Sequence, residues 1–225
     1  MLTNYLRKSD AIIADLKNQI ALIIAVTSGL VDVDGNNYSV VKIGEQIWMK
    51  ENLKVTKYRN GVDIPTGLDN STWVNTTNGA YAIYNDDAGN EAINGKLYNW
   101  YTVDDEHGLC PLGWHVPSHS EWITLTTTLG GEDVAGGRMK ATGTKYWNSP
   151  NGSATNESGF TALPGGVRSW YDGSFKAIKS IGVFWSSSAS DSNRAWSLLL
   201  ANNRGNMDRG VDTKRDGFSV RCLRD

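Results

Sequence analysis

The sequence has little of what the commoner chemistries require. Its two cysteines, Cys110 and Cys222, are too few for a disulfide framework and form no Cys-x-x-Cys pair for zinc or redox work. Of its three histidines, His115 and His119 stand four apart. Pro117 between them denies the shared helical face of a His-Glu-x-x-His zinc site. Neither sign of charge dominates: 22 Lys and Arg face 24 Asp and Glu, and no basic stripe exists to follow a phosphate backbone, so nucleic acid is not an expected partner. The longest apolar run, Ile20 to Val26, is about a third of a bilayer span. No membrane insertion is expected, and Asp10 and Asp15 upstream of the run do not suit a signal-peptide n-region. A Gly-x-Ser-x-Gly elbow and a phosphate-cradling glycine loop with Lys are both absent, and Asp104-Asp105-Glu106 reads as a solvated loop. Asp32, Asp34 and Asn36 resemble the start of a calcium loop, but its glycine and its closing Glu are not in register. The chain is therefore expected to have no catalytic residues, no metal and no cofactor.

What the sequence does have is aromatic residues and glycine: nine Trp, nine Tyr and 24 Gly, with 40% hydrophobic residues in 225. That balance supports a packed core of short strands joined by tight turns. Residues 1–28 stand apart from 29–225. Leu2, Leu6, Ile13, Leu16, Ile20 and Ile23 alternate steps of four and three, with Ser9 as the one polar interruption. This is a heptad seam, and Ile at both kinds of core position favours a trimer over a dimer. The alternative is an amphipathic helix packed on its own domain. Asp34-Gly35-Asn36-Asn37 predicts a hairpin turn followed by a strand over 38–43. Ser118 with Glu121 forms a capping box that opens a helix ending at Gly130-Gly131, and a shorter helix is expected over 132–141. From Thr142 onward the composition reads as loops with short strands. Cys110 and Cys222 either pair once or remain buried thiols. A bridge closing so long a loop would add about 4–5 kcal/mol.

Several phrases, taken in order, name a family. They include Trp48 with Glu51-Asn52-Leu53, Tyr98-Asn99-Trp100, and Cys110-Pro111-Leu112-Gly113-Trp114-His115-Val116-Pro117. Ala162-Leu163-Pro164-Gly165-Gly166, Phe184-Trp185-Ser186-Ser187 and Gly217-Phe218-Ser219-Val220-Arg221-Cys222 complete the set. Over roughly residues 32–223 the chain resembles the Fibrobacter succinogenes major paralogous domain. The resemblance implies an α+β, C-type-lectin-like fold with a twisted antiparallel sheet, two short helices and long loops, similar also to the formylglycine-generating enzyme. That enzyme uses a closely placed pair of reactive cysteines; here Cys110 and Cys222 occupy positions that read as structural, and no second pair exists. Domains of this kind also resemble the variable proteins of diversity-generating retroelements, some of which are phage tail receptor binders. The expected setting is a virion tail tip or a bacterial cell surface, and the expected partner a host surface protein or glycan. The alternative is a bacterial adhesin or glycan-binding module. An enzyme of the formylglycine-generating type is the remote third.

The expected binding surface is a polar segment running from about Ser186 to Lys214. Its first part holds Ser188, Ser190, Asp191, Ser192, Asn193, Arg194 and Trp196; its second holds Asn202, Asn203, Arg204, Asn206, Met207, Asp208, Arg209 and Asp212. Trp170, Tyr171 and Asp172 are expected to join from a neighbouring loop. Short polar side chains among a few Trp, Tyr and Arg make an adaptable face with rigid anchors. Trp48, Trp114, Trp122 and Trp185 are expected in the core, whereas Trp170 and Trp196 could serve either role.

Overall fold

The computed structural model describes residues 29–225, together with Ile13. The heptad helix and trimer expected over residues 2–23 lie outside the described residues. Along the chain come β1 (Leu30–Val31), β2 (Asn37–Tyr38), β3 (Val40–Ile43), β4 (Gln46–Met49), α1 (Asn70–Asn75), β5 (Tyr81–Ala82) and α2 (Ala88–Asn94). Next are β6 (Leu97–Tyr98), α3 (Trp100–Val103), β7 (Trp114–His115), α4 (His119–Thr128), α5 (Glu132–Met139), β8 (Val167–Arg168) and β9 (Phe175–Lys176). The chain closes with β10 (Ile181–Ala189), β11 (Arg194–Ala201), β12 (Met207–Thr213) and β13 (Leu223–Arg224).

The architecture is α+β with several small antiparallel sheets and short helices. Two points differ from the expectation. The described residues hold five α-helices where two were expected, and the region from Thr142 holds the three longest strands of the described residues. These three, β10-β11-β12, form one sheet, and a second runs β3-β4-β13-β7. In that second sheet the C-terminal strand β13 pairs Leu223 with both Trp48 and His115, tying the β3–β4 hairpin to the middle of the chain. The Cys110–Cys222 disulfide lies beside this junction and links residues 112 apart in sequence.

Local sequence explains the helix that matters most to the surface. Ser118 caps α4 by accepting from the Glu121 N–H, while the Glu121 carboxylate accepts from the Ser118 N–H at 2.7 Å. Gly130 and Gly131, at φ of 89° and 98°, then turn the chain in a way that other residues resist. In α5, Gly136 has a different purpose. A Cβ there would collide with the carbonyl oxygen of Asn206, so the missing side chain lets the helix lie against the β11–β12 turn. Gly137 N–H donates to Gly205 O at 2.7 Å across the same contact.

The β10-β11-β12 sheet is covered on both sides, because neighbouring residues of a strand point to opposite faces. Val183, Trp185 and Ala195 pack into one cluster with Tyr98, Trp100, Trp114 and Phe218. Phe184, Leu198, Leu200 and Met207 pack into the other, with Trp48, Trp122, Leu125 and Met139. Trp48, Trp114, Trp122 and Trp185 are all buried, as expected.

Candidate binding surface

The expected surface divides between the two ends of one sheet. The hairpin joining β10 to β11 turns at residues 190–193, whereas the β11–β12 connection turns at 202–206. The eight-residue β11 lies between them, so the two turns are separated by about 23 Å at ~3.3 Å per residue. Residues 186–214 are therefore not one loop surface, and only one end gathers most of the predicted residues around exposed aromatic area.

That end is built on a bulge. Between Trp185 and Ala189 the β10 register slips against β11, which turns Ser186, Ser187 and Ser188 toward neighbouring elements. Ser186 O accepts from Trp100 Nε1 at 2.8 Å, and Ser187 N–H donates to Pro117 O at 2.9 Å. Ser188 Oγ accepts from the His119 N–H at 3.0 Å, so it helps to cap α4 and is not a free contact residue. Beyond the bulge, Ser190, Asp191, Ser192, Asn193 and Arg194 are exposed. The Asp191 carboxylate sets the turn by accepting from the Asn193 N–H, the Arg194 N–H and Arg194 Nε at 2.8–2.9 Å. Those bonds, the Asn193 N–H first, hold its carboxyl below the usual carboxylate range. Trp196 is half-buried and stacks on His119 with ring centroids 4.0 Å apart. It is a shared wall between sheet and helix, intermediate between the two roles left open for it. Burial, followed by nearby Arg209, pulls the His119 ring below its ordinary value.

The loop carrying Trp170 and Tyr171 joins this end through residues that the sequence reading did not single out. Lys214 N–H donates to Asn193 O, and Asp216 N–H to Thr213 O. The Asp216 carboxylate accepts the Trp170 N–H at 3.0 Å, while Arg215 sits over the Trp170 ring at 5.7 Å and donates to Val74 O. Burial pushes the Asp216 carboxyl up to about 7. Trp170 is 41% exposed and Tyr171 76%, with their rings edge to face. Asp172 is exposed and pairs with Lys176 at 2.9 Å, which is the main reason its carboxyl lies below the ordinary range. Asp212 is half-buried and bonds to Ser197 Oγ on the adjacent strand.

At the far end the predicted residues mostly serve the scaffold. Met207 is 1% exposed, with its sulfur 3.6 Å from Thr126 Oγ1, and is a core residue where a surface contact was expected. Its place in the register with Leu200 points it at the helices, a parity that sequence spacing alone does not supply. Asn202 Nδ2 donates to Asn148 O and Ser149 O, fastening the turn to the 148–152 loop. Lys140, fully buried, donates to Gly152 O, Ala201 O and Arg204 O at 2.7–2.9 Å and holds the same turn from beneath. Asp208 is paired with Arg204 and Asn206, and Arg209 with Glu132 of α5. Asn203 and Arg204 remain exposed, but no aromatic side chain of the expected set accompanies them.

His115 lies between two carboxylates, Glu121 at 3.0 Å and Asp225 at 2.6 Å. This network spans 110 residues of sequence, and its Ser118 hydroxyl is committed to the α4 cap. Among the described residues no group of three or more His, Cys, Asp or Glu is placed to hold a metal ion, and no helix is long and apolar enough to cross a membrane.

No curated protein and no solved structure matches the chain. The model of one family, the Fibrobacter succinogenes major domain, matches residues 41–224, which takes in every element from β4 to β13. The chain belongs to the Fibrobacter succinogenes major domain family.

Proposed function

We propose that the chain is a receptor-binding protein. Its contact face lies on a C-type-lectin-like scaffold at the sheet end formed by residues 190–194, the 170–172 loop and the rim at 212–215. The observation that carries this reading is the exposure of Trp170 and Tyr171 beside a polar turn fixed by Asp191. Rigid aromatic area next to short hydrogen-bonding side chains is how adaptable recognition surfaces are composed. The ligand class is a host cell-surface protein or glycan, and the setting we favour is a phage tail tip whose 186–214 codons are rewritten by a retroelement. Anchoring would be trimeric, through residues 2–23. The second reading, a bacterial surface adhesin or glycan-binding module, draws on the same exposed aromatic pair. We assign no catalysis to this face.

The test uses the full chain, fluorescently labelled, against a panel of bacterial strains. The triple variant Trp170→Ala, Tyr171→Ala, Arg194→Ala should lower cell binding more than tenfold while its circular dichroism stays unchanged. Binding equal to the parent would place the site elsewhere. A reverse transcriptase gene with a template repeat matching codons 186–214 supports diversification. Outer-membrane lipoprotein genes alone as neighbours would sink the phage setting. Solution mass with and without residues 1–28 tests the trimer, and a monomer in both cases rejects it.

A further inference from the structure

On the other side of the 169–174 turn lies an open, largely polar cavity of about 590 Å³. Its walls are the segment entering α1, Asp86, and the β8–β9 hairpin. Arg168 and Phe175 are directly opposed on that hairpin, and both line the cavity.

Arg168 is 4% exposed, and its guanidinium carbon lies 4.3 Å from the Trp73 ring centroid and 5.0 Å from that of Phe175. Nε donates to Gly173 O at 3.0 Å, and Nη2 donates to Leu68 O at 2.6 Å with Asn70 Oδ1 at 3.5 Å. These bonds fasten the hairpin to the start of α1, which accounts for a structural role. They do not account for Nη1, which makes no hydrogen bond and is not among the sealed unpartnered atoms of the described residues. Its protons therefore open onto accessible space. No carboxylate of the described residues forms an ion pair with Arg168. A buried cation whose nearest carboxylates, Asp69 and Asp86, make no contact ion pair with it is an expensive arrangement, and a carboxylate placed directly on it would relieve the cost. Burial already pulls this guanidinium below its ordinary value, with Asp86 and Asp69 only partly opposing the effect.

The rim carries the opposite chemistry. Asp69 accepts the Thr72 N–H at 2.7 Å through Oδ1, while the exposed Asp86 carboxylate accepts no side-chain hydrogen bond. Two acceptor carboxylates above one donor cation disfavour a multiply charged anion. They suit a ligand with one carboxylate and several hydroxyl donors. We propose that this cavity binds a hexuronic acid, free or at the end of a glycan, with its carboxylate on Arg168 Nη1 and its hydroxyls donating to Asp86 and Asp69. The proposal does not rest on the receptor-binding face and survives if that face is misplaced.

The experiment is an amide and indole ¹H–¹⁵N titration of the full chain with glucuronate, glucose, inorganic phosphate and glycine, followed by a glucuronate-terminated disaccharide. The Trp73 indole, packed on Arg168, is the reporter. Glucuronate should give saturable shifts there, glucose should bind at least tenfold more weakly, and phosphate and glycine should not compete. Tighter binding of the disaccharide assigns a glycan end; equal or weaker binding assigns the free acid. Ser71 lines the mouth and is exposed, so Ser71→Trp should abolish binding without unfolding. Asp86→Asn should weaken glucuronate several-fold. The proposal is overturned if glucuronate leaves the Trp73 indole unmoved or phosphate competes equally. Tighter binding of glycine, or undiminished binding by Ser71→Trp, overturns it as well.

Discussion

Replacing Asp216 by Asn should remove a pH dependence that the fold builds in. The carboxyl is 7% exposed, lies near Asp212 and Arg215, and has the Trp170 N–H as its hydrogen-bond donor. Burial holds it at about 7 against an ordinary 3.8, so the native state favours the protonated acid. Between about pH 4 and 7 the native chain then binds more protons than the unfolded chain, and its stability falls as pH rises. A shift of about three units corresponds to about 4 kcal/mol as an upper bound, fully lost above about pH 7. Asn keeps an acceptor for the Trp170 N–H and cannot ionise. The stability of Asp216→Asn minus that of the parent should therefore rise by about 2–4 kcal/mol from about pH 4 to pH 8. Asp69 and Asp191, held below their ordinary values mainly by backbone N–H donors, act in the opposite sense at lower pH. Both proteins share them, so they cancel in the difference. Urea unfolding at constant ionic strength, without reductant, measures it. A difference flat to within about 0.5 kcal/mol would show that the carboxyl is not desolvated and refute the reasoning.

Two further outcomes test the scaffold. Lys140→Met should cost about 3–5 kcal/mol in urea unfolding, because it strips a buried ammonium from three carbonyls under the β11–β12 turn; a loss below about 1 kcal/mol would show that water replaces it. Replacing Cys110 and Cys222 together by Ser should cost about 4–5 kcal/mol by opening a loop of 112 residues, and reductant should lower the parent's midpoint toward the variant's.

Part of this architecture is written in short stretches. The α4 capping box, the Gly130-Gly131 stop and the Asp34-Gly35 turn are local chemistry, complete within a few residues, and each lies where the sequence puts it. The Trp positions inside the family phrases read correctly as core because large apolar side chains have few other places to go. The length of the β10-β11-β12 strands, read from sequence only as short strands among loops, was illegible for a physical reason. Both faces of that sheet are covered, so Leu198-Leu199-Leu200 shows no alternation, and the serine bulge in β10 breaks what period remains.

The sequence by itself determined the family, the caps and turns, the polar and aromatic residue types of the 186–214 segment, and a pair of cysteines able to close one bridge. Only the tertiary structure decided which of those residues meet. Cross-strand register sent Met207 inward and left Arg209 to pair with Glu132. The length of β11 put Asn203 at the opposite end of the sheet from Arg194. Asp216 beneath Trp170, and Arg168 over Trp73, depend on contacts between segments 46 and about 95 residues apart. No local pattern encodes such pairings, because they are fixed by strand parity and by which elements the two cores bring together.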